Sequence, residues 1–104
     1  MIIYNRMYVK IKPSDREGKK YTAIFYNNDK KKLKMTHFGA SGYSDYTQHK
    51  DPKRKQRYIE RHKVNENWND YMTAGSLSRF ILWNKQSLQD SIKDYAKRFN
   101  LKVI

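Results

Sequence analysis

Residues 37 to 62, HFGASGYSDYTQHKDPKRKQRYIERH, contain all three histidines of the chain, His37, His49 and His62, together with Asp45 and Asp51. These side chains are able to ligate a metal, and zinc needs three or four such donors fixed around it. The spacing offers no tight pair of the HxH or HExxH kind. A hairpin ending at His37, followed by a helix bearing His62, faintly echoes a metal-dependent nuclease, and that is the most distant of the readings considered. The plainer role for the histidines is hydrogen bonding in a partly buried polar network. Ser41, Ser44, Asp45 and His49 supply hydroxyls, an acid and a base, but no G-x-S-x-G elbow positions a nucleophile. GASG (39–42) also lacks the remainder of a Walker loop. No catalytic residue, metal or cofactor is therefore assigned.

The second chemistry in this stretch is charge. The chain has 104 residues, 23 Lys/Arg against 10 Asp/Glu, and a formal net charge of +13. Residues 30–63 alone hold eleven Lys/Arg against three Asp/Glu. Such a concentration predicts attraction to nucleic acid, an anionic lipid surface or an acidic protein. Two runs carry it: Lys30, Lys31, Lys32 and Lys34, then Lys50, Lys53, Arg54, Lys55, Arg57 and Arg61. Tyr43 and Tyr46 between them are candidates to stack on an unpaired base. No Asn, Gln or Arg spacing suited to reading base edges is visible, so little sequence preference is expected. The absence of cysteine excludes disulfides and thiolate metal sites and allows an intracellular location. The longest apolar runs are a few residues, too short for a membrane span, and MIIYNRMYVKIKPS lacks a signal peptide's apolar core.

These groups need a scaffold. Nine Tyr, four Phe and two Trp compensate for a hydrophobic content of only 38%. The expected fold is a single α+β domain, a three-stranded antiparallel meander followed by about three helices packed on one face. The meander occupies residues 1–38. Met7, Val9 and Ile11 alternate with Tyr8, Lys10 and Lys12, KYTAIFY (20–26) is β-branched and aromatic, and KKLKMTHF (31–38) sets Leu33, Met35 and His37 on one face against Lys32, Lys34 and Thr36. Residues 39–50 form a polar loop. Asp51-Pro52 starts a basic helix running to about Lys63. Helices follow over 73–100, the first capped by Thr73 and the last opened by a Ser87/Asp90 capping box. Leu88, Ile92, Tyr95, Ala96 and Phe99 give the last helix a clear apolar face. LKVI (101–104) is open between a short strand and a frayed end. Trp68 and Trp83 read mainly as core, with a protein interface as their other use.

The pieces KYTAIFY, THFGASGYSDYTQHKD, RKQRYIERH, ENWND, TAGSLSRFILWNK and SIKDYAKRFNL resemble a small uncharacterised protein family of large double-stranded DNA viruses of algae and protists (phycodnavirus- or mimivirus-like). The resemblance runs from about Lys20 to Leu101 and leaves residues 1–19 outside. It implies a viral protein inside the infected host cell or packaged in the particle, and it brings no active-site residues with it. The expected function is non-enzymatic binding of a polyanion, DNA or RNA first. The alternative is a minor capsid or internal-layer component that meets an acidic virion protein through the same charges.

Overall fold

Strand alternation and aromatic packing build a mixed four-stranded sheet. A computed structural model describes residues 6–104, and residues 1–5, the start of the expected meander, lie outside them. The strands are β1 (Met7–Pro13), β2 (Lys19–Tyr26), β3 (Lys32–Ala40) and β4 (Leu101–Val103), in the spatial order β3-β2-β1-β4. The first three form the antiparallel meander. The fourth pairs in parallel with β1, Met7 opposite Leu101 and Val9 opposite Val103, so the C-terminal segment is a strand and the sheet is mixed.

The helices are α1 (Tyr46–His49), α2 (Pro52–His62), α3 (Ala74–Leu77) and α4 (Leu88–Arg98). α3 runs directly into a π-helical turn, Ser78–Leu82, closed by the Trp83 N–H to the Ser78 carbonyl at 3.0 Å. One face of the sheet carries Val9, Ala23, Phe25, Phe38 and Leu101 into the core. Leu77, Phe80, Ile81, Leu82, Ile92, Tyr95 and Ala96 meet them from the helices. Phe25, Phe38 and Tyr95 are fully buried. Each contributes roughly 2 to 3 kcal/mol by removal from water. The Tyr95 hydroxyl donates to the Tyr71 carbonyl at 2.6 Å, and burial pushes its pKa far above the usual phenol value.

Two expectations are corrected. Lys32 does not share a face with Lys34 and Thr36: those two lie opposite the core-facing Phe25 and Ala23, whereas Lys32 lies opposite Tyr26 on the other face. The parity of β3 is set by Phe38, which lies opposite Tyr21 and faces the core. An irregularity beside Phe25/Tyr26 pairs Phe25 with Lys34 and Tyr26 with Lys32, leaving Leu33 as the extra residue of a bulge. The second correction concerns the caps. Ser87 accepts from the Asp90 N–H at 3.3 Å, which is half of the expected box. The full reciprocal box forms at Asp45 and Gln48, on α1, inside the expected loop.

Candidate polyanion interface

α2 begins where Asp51 caps it, accepting from the N–H groups of Lys53 and Arg54, with Pro52 in the first turn. Partial burial works to raise the Asp51 pKa. The two N–H bonds and the nearby Arg57 and His49 outweigh it and hold the carboxyl below its usual range. The helix has one buried residue, Tyr58. Its ring is stacked on Trp83 (4.4 Å between centroids, 3° between planes) and on His62 (4.2 Å, 26°). His49 packs against the Trp83 ring at 5.2 Å and Tyr46 against His49 at 6.1 Å. A column of five rings therefore fastens α1 and α2 to the end of the π-turn. Burial pushes the Tyr58 phenol up to about 12, so it stays protonated at neutral pH.

A buried polar node orients the same corner. Asp45, 3% exposed, accepts from Lys20 Nζ at 2.6 Å and from the Thr47 N–H at 2.9 Å. Gln48 Oε1 takes a second Lys20 proton at 2.9 Å and the Asp45 N–H at 3.1 Å. Lys20 thus ties β2 to α1. Neither Lys20 nor its neighbour Lys19 stands out in the sequence as a site residue; the only hint is the D-x-x-Q cap spacing. Lys55 Nζ donates to the Asn84 carbonyl at 2.6 Å and lies over the Tyr46 ring at 4.9 Å. Burial lowers its pKa, with Arg79 and Lys85 adding to the effect. Arg79 braces the other side of the π-turn, donating to the Trp83 carbonyl at 2.7 Å.

The expected contact residues therefore divide. Lys50, Lys53, Arg54, Arg57 and Arg61 are exposed. Among the described residues the ion pairs are Lys20–Asp45, His62–Glu66 and Arg98–Asp94, so none of these five has a carboxylate partner. Lys55 is a brace that holds α2 to the body and is not a free contact. Tyr43 is 75% exposed and suited to stacking; Tyr46 is buried (8%) and is not. Lys30, Lys31, Lys32 and Lys34 are exposed, but at the far end of β3 from α2. At about 3.3 Å per residue the strand separates the two clusters by roughly 26 Å, so the hairpin does not continue the α2 track. Trp83 is committed to the ring column. Trp68 packs on the core, edge-on to Phe80, with its indole nitrogen buried and unpaired.

Beside α2 lies an open cleft of about 550 Å³. Arg54, Arg61 and Lys19 border it with Tyr43, Trp83 and His62, and Gly39 forms part of its floor. Gly39 has φ +78°, and a Cβ there would come within 2.7 Å of Leu82 Cδ1, so this floor requires glycine.

The three histidines do not converge. His37 Nδ1 bonds to the hydroxyls of Thr22 (2.7 Å) and Ser14 (2.9 Å) on the sheet face away from the helices. His49 Nδ1 accepts the Asp51 N–H at 3.0 Å, which places the neutral ring's proton on Nε2, a buried atom without a partner. His62 stacks on Tyr58, 3.8 Å from Glu66 Oε1. Among the described residues no three His, Asp or Glu side chains are grouped to hold a metal ion. No helix among the described residues is long and apolar enough to cross a membrane.

The model of a family of unknown function, DUF5754, matches residues 9–62, a span that runs from within β1 to the last residue of α2. No curated protein and no solved structure matches the chain.

Proposed function

Because the chain belongs to the DUF5754 family, membership of which carries no assigned activity, its function has to be argued from its surface, and we propose that it binds nucleic acid through α2 without strong sequence preference. One observation carries this reading. Four exposed cations, Lys53, Arg54, Arg57 and Arg61, lie along a rigidly fastened helix, with a fifth, Lys50, at the end of α1 just before it, and none has a carboxylate partner among the described residues. Cations left unpaired repel one another, and a phosphate backbone relieves that repulsion while releasing its own counterions. The ring column and the Lys55 brace hold the helix in place, so little ordering is required on contact. The exposed Tyr43 at the cleft mouth adds a surface on which an unpaired base can stack. In the viral setting that the sequence resemblance implies, the polyanion is the viral genome or its transcripts.

The test is binding to a labelled random duplex across a salt series, with Arg54→Ala, Arg57→Ala and Arg61→Ala combined as the comparison. The expected slope of log K against log salt is about −4 for the wild type, flattened by roughly 2.5 to 3 in the variant. Stability is expected to change by no more than about 0.5 kcal/mol per site, since all three are surface positions. No binding at near-physiological salt, or an unchanged slope in a folded variant, refutes the proposal.

A further inference from the structure

The face of the sheet opposite the helices is assembled from an unusual set of side chains. Strand alternation and register place Tyr8 and Tyr26 directly opposite one another on it, flanked by Lys102 on β4 and Lys32 on β3. The next row holds Lys10, Ile24 and Met35, and the row after that Lys12, Thr22 and His37, with Ile24 and Thr22 buried between their neighbours. The four strands MYVKIKP, KKYTAIFY, KLKMTHFGA and LKV contain no Asp or Glu. The nearest acids in sequence lie in the connections: Asp15 and Glu17 before β2, and Asp29 in the turn before β3. Lys30 Nζ sits 5.5 Å from the Tyr8 ring centre. Among the described residues the aromatic pairs lie elsewhere, and Tyr8 and Tyr26 take part in none of them. Among the described residues no helix covers this face, because α3, α4 and the π-turn all pack on the other side.

The geometry points to a second nucleic-acid surface: the Tyr8/Tyr26 end of this helix-free sheet face stacks the bases of a single strand on the two rings and holds its phosphates with Lys10, Lys12, Lys30, Lys32 and Lys102. Half-buried rings on adjacent central strands are rigid platforms, and every base has a π-face to offer them, so stacking of this kind tolerates any sequence. Charge complementarity selects the occupant, since a neutral or basic peptide gains nothing from a face without carboxylates. A duplex hides its base faces and offers the tyrosines nothing. Lys30 and Lys32 of the hairpin, which lie too far from α2 to serve it, belong to this surface. The inference shares with the preceding section only the premise that the ligand is nucleic acid; the residues are different.

Three proteins separate the two surfaces: wild type, Tyr8→Leu with Tyr26→Leu, and the α2 triple alanine variant. Each is titrated with labelled oligothymidylate and with random duplex. The leucine variant is expected to lose about tenfold or more in single-strand affinity and little for duplex, whereas Tyr8→Phe with Tyr26→Phe, which keeps both rings, retains binding. In the wild type, photo-crosslinking to a 5-iodouracil strand is expected on the peptides bearing Tyr8 and Tyr26, a readout that does not depend on the variant folding. Unchanged single-strand affinity in a folded leucine variant, or crosslinks confined to α2 and the cleft, overturns the platform and leaves the α2 reading standing. Failure of the wild type to bind either probe overturns both.

Discussion

Asp45→Ala tests the corner that carries α2. The carboxylate is 4% exposed and its partner Lys20 15% exposed, with 2.6 Å between Nζ and Oδ2. Removing one partner of a buried pair strands the other charge, at a cost of about 3 to 5 kcal/mol. Gln48 Oε1 still reaches Lys20 at 2.9 Å, and the ammonium keeps some water, so the lower end of that range applies. Losing the cap of α1 adds about 1 kcal/mol. The expected total is therefore about 3 to 4 kcal/mol, read by urea unfolding at neutral pH. The reasoning predicts more than a size. In the double variant Lys20→Met with Asp45→Ala no charge is stranded, so about 2 kcal/mol should be regained and only the cap and packing losses remain. If the double variant is no more stable than Asp45→Ala, the cost lies in the cap and the ion-pair argument is wrong.

Two further outcomes follow from the same corner. Tyr58→Ala removes the one buried anchor of α2 and should destabilise by about 3 kcal/mol or more; hydrogen exchange should show α2 amides losing protection first, and uniform loss across the chain would mean that the helix is not fastened through this ring. His49 is held below its ordinary pKa of 6.5 by burial, and Arg54 adds to the lowering against Asp51 and Asp45. The unfolded chain therefore binds that proton more readily, so the stability from neutral His49 is present above about pH 6.5 and is lost as pH falls toward the folded pKa. The drop in Tm on acidification should be smaller in His49→Phe than in the wild type, and identical pH profiles would remove His49 as the cause.

The strands of the meander, the start of α2 at Asp51-Pro52 and the apolar face of α4 were legible because each rests on a local pattern: alternation, a cap with proline, a 3.6-residue period. What escaped was decided at longer range. Plain alternation puts Lys32 and Lys34 on one face, yet one bulge separates them and the position of Phe38 decides which way β3 faces. β4 is three residues long, too short for periodicity, and exists because β1 offers it an edge. The candidate site divides in the same way. Exposure of Arg54, Arg57 and Arg61 could be read from the helical wheel. The burial of Tyr46 and the brace at Lys55 depend on Trp83 and Asn84, about thirty residues further on. The distance between the hairpin lysines and α2 emerges only when β3 is laid out as a single strand.

The parallel pairing of β4 with β1 also sets an order of events. Ile104 N–H reaches the Val9 carbonyl at 3.0 Å, and Leu101 stands beside Met7. The second strand is available early, because β2 follows β1 after a short loop. The other edge of β1 waits until every helix has been made. A nascent chain therefore carries an unpaired, partly apolar strand edge throughout most of its synthesis, the kind of edge that recruits other chains. The lysines of β1 that would grip a ligand in the finished protein, Lys10 and Lys12, are on the strand from the start, and their charge keeps one growing chain from adding to another.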